Sequence, residues 1–533
     1  MNKKNTHSRP KRHVSITSLI RTLLVLLAVS PMMAWHEVGN GGDPIRLLFS
    51  SARERAAVVV ARMHPDAFTS QTPDDVRSWL LKNKVELAAD ILRSQHDWLD
   101  TAEATCAHTA VGAAGAVVEL SYPTCRLAIH DVTDASFTLI HEAVHHFGIS
   151  DESYADQVAS AVINALKSGI LDWQPIAAPA ALAGRSHHSA VWTGSKMIVF
   201  GGVDQNNLIS SSGAIFDPST NQWTMMRGQG APSRAYHEAI WTGSKMIVWG
   251  GLEANGAGPL IWAASGAIYD PATDSWSPIR SRRPAGVLVP NRTNQTVVWT
   301  GNRMIVWGGY YSSGGRVVAE GGIYDPSTDS WKDISTAGAA LRYSGHSAVW
   351  TGSKMIVWGG KPFPNSAGSA MGETNEGAIY DPYQNSWTAI SLTGAPTARN
   401  NHTAVWADDR MIVFGGQENA VRSIKGSGGI YDPASGTWQA YSLEMAPQRI
   451  DHSALWSGGE MLIFGGKQST SVGSFNLVTC VSKDARALRA ISGPSAPSPR
   501  SGHSAVWTGM SMIVFGGILE DGRRVGDGGL FYP

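Results

Sequence analysis

The sequence has few cysteines, few charged residues and, after residue 34, no long apolar run. Three cysteines among 533 residues are too few for a disulfide scaffold, although Cys106 and Cys125 could form one bridge. Lys+Arg and Asp+Glu number 43 each, so the net charge is zero, which argues against a nucleic-acid-binding protein. No stretch of the mature chain is apolar enough to span a membrane. These absences indicate a globular protein.

The N-terminus has the pattern of a targeting segment. Basic residues from Lys3 to Arg21 precede an apolar run from Leu23 to Ala34. A run of this length is typical of a signal-peptide core and is too short to cross a bilayer. We therefore predict that residues 1–34 are a signal peptide and that the mature protein is secreted or periplasmic. A retained N-terminal anchor is the alternative.

Glycine (57 residues) and tryptophan (20 residues) are abundant, and most of the tryptophans belong to a unit that occurs seven times. Each copy has an anchor residue, a Trp four residues later and a Gly-Gly pair thirteen residues after the anchor. The anchors are His188, His237, Gln295, His346, His402, His452 and His503. In most copies an aromatic residue follows, with another Trp seven residues after it. Four short runs with strand character, separated by turn signals, predict a four-stranded antiparallel meander in each unit.

Units of about 50 residues with these marks resemble the kelch repeat. The resemblance covers residues 171–533 and implies an all-β seven-bladed β-propeller. Blade six lacks the second half of the motif between Ser474 and Ile491, and the last copy ends before its final Trp. We predict that residues 171–176, which include Trp173, supply the missing strand and close the ring.

The recurring histidine predicts a structural hydrogen bond within each blade rather than a metal ligand. Three connections are long and lie on one face of a meander: residues 260–262, 280–292 and 363–371. With Trp262, Phe363 and an arginine cluster, they form a candidate surface for a protein or glycan ligand, and ordinary surface loops are the alternative.

Residues 35–170 are richer in alanine and helix formers, which predicts a separate, smaller α+β domain. Apolar periodicity favours one or two helices over residues 72–100, one helix over each of 136–147 and 152–166, and strands over 117–121 and 126–130.

The predicted helix over 136–147 contains the sequence His141-Glu-Ala-Val-His145. A spacing of four places both imidazoles on one helical face, where they can bind zinc, and Glu142 can act as general base. Gly148 can end the helix in the left-handed conformation, so that the chain doubles back and presents Asp151. Asp151 could instead only cap the next helix, and Glu152 or Asp156 would then be the third ligand.

The string from His141 to Asp151 resembles the zincin metallopeptidases, in the variant whose third ligand is Asp. The resemblance implies His141, His145 and Asp151 as Zn²⁺ ligands and Glu142 as the catalytic base. The predicted function is an exported zinc metallopeptidase that acts on peptides and carries a kelch propeller for binding. The alternative is a non-enzymatic kelch-repeat binding or scaffold protein with a structural or vestigial metal site.

Overall fold

The computed structural model divides the chain into two compact units, Met1–Leu171 and Asp172–Pro533. It describes residues 53, 56, 60, 63, 72–93, 96–99, 107–108, 118–121, 132–167 and 173–533, the last range without 255–259, 280–291, 312–315, 318–319, 340–342, 363–371, 419–422, 443–446, 469–474, 476, 485–487, 492 and 494. The predicted signal peptide, Cys106, Cys125, the strand over 126–130 and two of the long connections lie outside the described residues. Among the helices that are described, none has the length and apolar composition needed to cross a membrane.

The smaller unit combines helices with a short sheet. Its elements are α1 (Asp74–Arg93), β1 (His96–Leu99), β2 (Ala107–His108), β3 (Val118–Ser121), α2 (Val132–His145) and α3 (Glu152–Lys167). The predicted helical region over 72–100 is too long, because residues 96–99 pair in parallel with β3. Apolar side chains of the three helices form one core, which includes Leu80 of α1, Val144 of α2 and Val162 of α3.

The larger unit consists of seven four-stranded antiparallel sheets, and the seven-bladed propeller is confirmed. The first strands are Ser189–Trp192, Glu238–Trp241, Thr296–Trp299, Ser347–Trp350, Thr403–Ala407, Ile450–Trp456 and Ser504–Trp507. The second strands are Met197–Phe200, Met246–Trp249, Met304–Trp307, Met355–Trp358, Arg410–Phe414, Glu460–Lys467 and Met512–Phe515. The third strands are Gly213–Asp217, Gly266–Asp270, Gly321–Asp325, Gly377–Asp381, Ser427–Asp432, Val478–Ser482 and Asp527–Phe531. The fourth strands are Gln222–Met225, Ser275–Ile279, Ser330–Asp333, Ser386–Ala389, Thr437–Ser442, Leu488–Ile491 and, in blade seven, β4 (Trp173–Ala177).

The blades form a closed ring. Each first strand packs against the first strands of both neighbouring blades. The outer strand of blade seven is β4, which pairs antiparallel with Asp527–Phe531 and places Trp173 opposite Phe531. Blade six has four strands although it lacks half of the motif, because buried apolar residues such as Val478 and Val481 maintain its third strand.

Aromatic side chains fill the space between blades. The second strands are buried along a Met-aliphatic-aliphatic-aromatic stretch. At six of the seven junctions the last aromatic contacts the Trp on the outer strand of the next blade, and the exception is the junction of blade five with blade six, which lacks that Trp. The ring centroids of Trp249 and Trp331 are 4.5 Å apart. The same contact joins Phe464 of blade six to Trp173, at 5.2 Å. Trp173 therefore occupies the place that a fourth-strand Trp has in other blades.

The segment before each first strand and the loop after the Gly-Gly pair lie on the same face, which we call the mouth face. Short strand pairs and bridges connect the two, as in Arg185–Ser186 with Val203–Asp204, Tyr343–Ser344 with Lys361–Pro362, Ala235 with Leu252, Asn400 with Gln417 and Ser501 with Ile518. Further two-stranded pairs on this face are Leu252–Glu253 with Ile261–Trp262, Tyr310–Tyr311 with Arg316–Val317, and Gln417–Glu418 with Ser423–Ile424.

Candidate functional site

Two imidazoles and one carboxylate converge in the smaller unit. The Nε2 atoms of His141 and His145, one helical turn apart on α2, are 3.1 Å from each other. Oε2 of Glu152 lies 3.0 Å from Nε2 of His141 and 3.6 Å from Nε2 of His145. In the part of the chain that the structure describes, these three residues form the group that could hold a metal ion.

The turn between α2 and α3 decides which carboxylate joins the histidines. Gly148, with φ of 81°, donates its N–H to the carbonyl of His145 and reverses the chain. Asp151, the predicted third ligand, lies outside the convergent set, because its carboxylate accepts the N–H of Tyr154 at 3.1 Å and caps α3. Glu152 therefore begins α3 with its side chain beside α2. The geometry favours Glu152 among the three carboxylates that the sequence offers.

Hydrogen bonds at the other ring nitrogens fix both imidazoles. Nδ1 of His145 donates to the carbonyl of Ile149 at 2.6 Å, and Nδ1 of His141 donates to Oδ1 of Asp156 at 2.9 Å. Because a carbonyl and a carboxylate only accept, each Nδ1 carries the hydrogen and each Nε2 presents a lone pair. In the neutral imidazoles two lone pairs and the carboxylate of Glu152 then face one point, an arrangement that either a bound cation or a proton on one Nε2 would satisfy.

The spacing of these atoms suits zinc. Two ligands about 2.0–2.1 Å from a tetrahedral zinc ion are separated by about 3.3 Å. The three measured separations are 3.0, 3.1 and 3.6 Å. Three protein ligands would leave the fourth position open, as in catalytic zinc sites.

Glu142 and His146 flank the ligands on α2 but are not members of the convergent set. The side chain of Glu142 is 5% exposed, next to the core residue Ala143. His146 is buried and hydrogen-bonds through Nδ1 to the buried Asp90 of α1. This pair joins α2 to α1 on the side of the helix that faces the core.

The anchor histidines of the propeller join adjacent blades, so the predicted hydrogen bond within each blade is wrong. In six junctions Nε2 of a histidine hydrogen-bonds to the Ser or Thr hydroxyl that follows the anchor of the preceding blade, at 2.7–2.9 Å. The pairs are His237 with Ser189, His346 with Thr296, His402 with Ser347, His452 with Thr403, His503 with Ser453 and His188 with Ser504.

The same contact explains the Gly-Gly pair. Gly201 has φ of 70°, and a Cβ there would lie 2.8 Å from Cε1 of His237 in the next blade. The glycine therefore provides both the left-handed backbone and the space for the imidazole. Burial lowers the pKa of His237, His402 and His503 to about 3, so these rings are neutral at pH 7.

Seven residues with left-handed backbone encircle the mouth face, each immediately before an anchor. We call them the mouth ring: His187, Tyr236, Asn294, Gly345, Asn401, Asp451 and Gly502, with φ between 50° and 65°. Three neighbouring pairs are hydrogen-bonded: Tyr236 donates its N–H to the carbonyl of His187 at 3.0 Å, His187 to that of Gly502 at 2.8 Å, and Asn401 to that of Gly345 at 2.9 Å. The side chains of this ring therefore surround the opening of the propeller.

His187 and Tyr236 form an aromatic pair in the mouth ring. Their rings stack with centroids 4.1 Å apart, and Tyr236 is 40% exposed. Arg524 donates to the hydroxyl of Ser186, which also hydrogen-bonds Nδ1 of His187. Burial lowers the pKa of His187 to about 4, so this ring is also neutral at pH 7.

Comparison with known proteins agrees with the propeller. The family model described as the KLHDC2/KLHL20/DRC7 Kelch-repeats domain matches residues 136–338 and 294–517, which together make up more than half of the chain. The chain belongs to the kelch-repeat family.

Curated relatives match part of this kelch chain. Kelch domain-containing protein 3 of Bos taurus is 26% identical over 175 residues, 32% of this chain and 45% of that protein. Kelch domain-containing protein 2 of Homo sapiens is 28% identical over 159 residues, 27% of this chain and 36% of that protein. Acyl-CoA-binding domain-containing protein 6 of Oryza sativa subsp. japonica is 26% identical over 157 residues, 27% of this chain and 23% of that protein. The chain thus spans less than half the length of these relatives.

Sequence reasoning missed two features of the kelch propeller. One is a buried arginine three residues before the anchor in six copies, whereas blade four has Tyr343. Arg185, for example, donates to the carbonyls of Gly201 at 2.8 Å and Ser212 at 3.0 Å, and so holds the mouth-face loop of its blade. The fixed spacing could have revealed it. The other is the mouth ring, whose signal is Gly, Asn or Asp before five of the seven anchors. Among the predicted surface residues, Trp262 is partly buried and pairs with Leu252, and Phe363 lies outside the described residues.

Proposed function

We propose that this protein is a kelch-repeat binding protein that binds a protein partner on the mouth face of its propeller. The observation that carries the proposal is the His187 and Tyr236 pair. Five of the seven mouth-ring positions have Gly, Asn or Asp, and His187 is of a type that also occurs with left-handed backbone, whereas the bulky Tyr236 adopts this conformation rarely. Such strain costs about 1–3 kcal/mol per residue and is typical of functional sites.

Exposed apolar side chains in the mouth-face loops of the same two blades support a protein partner. Leu208, Leu260 and Ile261, in the loops after the Gly-Gly pairs of blades one and two, are 62%, 49% and 40% exposed. An exposed tyrosine among aliphatic side chains has the composition of an interface hot spot. Lys467 pairs with Asp451 at 2.8 Å, whereas Arg524 donates to the neutral amide of Asn207 at 2.7 Å and keeps its positive charge. We therefore expect a partner with an apolar contact segment and no strong positive charge.

Photo-crosslinking of the full chain in its own cells tests this proposal. A photoreactive benzoylphenylalanine in place of Tyr236 should give one discrete crosslinked partner. The matched control replaces Tyr383, which is 89% exposed in the turn between the third and fourth strands of blade four, on the opposite face. Tyr236→Gly should abolish binding of the identified partner while Tyr383→Gly retains it. Equal binding by the two glycine variants would refute the assignment to the mouth face.

A second function, metal-dependent hydrolysis of peptides, is favoured by the convergence of His141, His145 and Glu152. Zinc bound there would supply Lewis acidity toward a scissile carbonyl. His141 and His145 are held for this role by Asp156 and the carbonyl of Ile149. In this proposal Glu142 takes a proton from the attacking water and returns it to the leaving amine.

Zinc content and peptide cleavage test this function with matched variants. Glu152→Gln should lose bound zinc, whereas Asp151→Asn should retain it, because Asp151 only caps α3. Glu142→Gln should retain zinc and lose cleavage, since an amide is not a base. If Asp151→Asn loses the metal while Glu152→Gln retains it, the ligand assignment is wrong. If zinc is bound but no peptide in a broad library is cleaved, the site is structural.

We also infer that the chain is exported, from the basic and apolar pattern of residues 1–34. N-terminal sequencing of protein recovered from the periplasm or the medium should then begin near residue 35. A full-length chain in the cytoplasm would contradict this inference.

A further inference from the structure

One of the seven blade junctions differs from the rest. In six of them a histidine hydrogen-bonds to a Ser or Thr hydroxyl of the preceding blade. Between blades two and three, Glu238 stands at the hydroxyl position and Gln295 at the histidine position. Both members of the pair therefore differ at the same junction, and each can be compared with six copies of the usual arrangement.

The amide of Gln295 occupies the space of the imidazole. Gln295 is 2% exposed, and a Cβ on Gly250 would lie 2.6 Å from its Nε2. That Nε2 donates to the carbonyl of Trp249 at 3.2 Å. Because this carbonyl only accepts, it fixes the orientation of the amide. Oε1 is then buried on the other side of the group, with no hydrogen-bond partner among the described residues.

Glu238 lies on the same face of the junction. It pairs in register with Trp249, the residue whose carbonyl binds Gln295. The side chain of Glu238 is partly buried. A carboxylate beside the buried Oε1 would place two acceptors together, and Oε1 would lack a donor. Desolvation at this junction raises the pKa of Glu238 from 4.5 to about 7.

No charged group faces Glu238 from the strands packed against its own. Those strands are Ser189–Trp192, Met246–Trp249 and Thr296–Trp299, and none contains a charged residue. The titratable neighbours in its own segment are already engaged, since His237 bonds to Ser189 and Arg234 pairs with Glu253 at 2.8 Å. Among the described residues around Glu238, therefore, no cation offsets the cost of ionising its carboxyl group.

We propose that the carboxyl of Glu238 is protonated at neutral pH and donates its O–H to Oε1 of Gln295, which makes this junction a proton-binding site that weakens as the pH rises. One proton on the carboxyl group of Glu238 is enough to make it a donor, with Oε1 of Gln295 as the acceptor. A divalent cation fits less well, because calcium and magnesium require about six oxygen ligands and this pair supplies two side chains. Glu238 is two residues from Tyr236, so this proton-binding site lies next to the mouth ring.

The sign of the pH dependence follows from the direction of the shift. The native state holds the proton at pH values where the unfolded chain has released it, so this group stabilises the fold most at low pH. Its contribution is lost as the pH rises from about 4.5 through about 7.

Denaturant unfolding of the full chain, followed by tryptophan fluorescence, tests the proposal. Glu238→Gln keeps a donor for Gln295 and removes the titration. Between pH 5 and pH 8 the unfolding constant of the wild type should rise about 70-fold relative to that of Glu238→Gln. The double variant Glu238→Ser with Gln295→His installs the pair of the other junctions, and it should also lack the dependence even if Glu238→Gln fails to fold.

Three results would overturn the proposal. One is a constant ratio of unfolding constants between the wild type and both variants across this pH range. Another is an infrared spectrum at pH 6.5 that lacks a protonated-carboxyl band which depends on Glu238. The third is stabilisation of the wild type at pH 8 by added calcium or sodium that Glu238→Gln does not share, which would identify a cation site.

Discussion

Mild acid should unfold the propeller through the histidines between its blades. Burial lowers the pKa of His237, His402 and His503 from 6.5 to about 3. Because the native pKa is below that of the unfolded chain, the stabilisation is complete above pH 6.5 and is lost as the pH falls toward 3. At pH 5 each histidine lowers the free energy of unfolding by about 2 kcal/mol relative to pH 8. Three together give about 6 kcal/mol, which is comparable with the whole stability of a typical domain.

The structural reason is the lack of a place for a second proton. Nε2 of each ring is bonded to a hydroxyl, and Nδ1 of His237 and of His503 has no hydrogen-bond partner among the described residues. An imidazolium at His237 or His503 would therefore be buried with an unsatisfied donor, and it would be repelled by the guanidinium of Arg234 or Arg500.

His503→Gln provides the test, because blade three already has Gln295 at this position. Urea unfolding should show a loss of about 1 kcal/mol at pH 8, the value of one hydrogen bond. At pH 5 the variant should have lost about 2 kcal/mol less than the wild type has lost. Between pH 5 and pH 8 the titration of Glu238 changes the free energy of unfolding in the opposite direction. Because both proteins contain Glu238, the difference between their free energies of unfolding reports the histidine alone. Equal losses in both would refute the reasoning.

Two further predictions concern packing. Gly359→Ala should cost about 2–4 kcal/mol of unfolding free energy, because its φ is 68° and its Cβ would lie 2.7 Å from Cε1 of His402. Gly352→Ala, with φ of 96° and open space around it, should cost only the backbone strain of about 1–2 kcal/mol, and equal costs would argue against the steric account. Trp173→Ala should cost about 3–5 kcal/mol, because the ring is 2% exposed between Phe464 and Phe531. Likewise, a chain that begins at Ala181 should melt well below one that begins at Gly169, and equal melting temperatures would show that β4 does not hold the ring closed.

The repeat made the propeller predictable, because one spacing in seven copies restricts the fold to stacked meanders. It could not show where the anchor histidine makes its hydrogen bond. A residue that recurs at one position of the repeat can bond within its own blade or to a neighbouring blade. Both arrangements give the same spacing in the sequence. Only the close approach of His237 to Gly201 of the preceding blade decides between them.

The candidate metal ligands were also predictable only in part. The helical spacing of His141 and His145 and the turn at Gly148 follow from local rules. Asp151 and Glu152 are adjacent in sequence, however, and each suits the start of a helix. Their roles depend on which carboxylate accepts the N–H of Tyr154, which is a matter of one side-chain orientation.

Deviations from the repeat are the strongest guide to function in this chain, because the other blades show what the fold alone requires. The fold accepts Gly, Asn or Asp in the mouth ring, yet blades one and two have His187 and Tyr236. It accepts a hydroxyl and a histidine at each junction, yet blades two and three have Glu238 and Gln295. The exposed Leu208 also belongs to blade one. Since these departures are close together and none is needed to build a blade, selection for binding on this side of the mouth face accounts for them better than selection for stability.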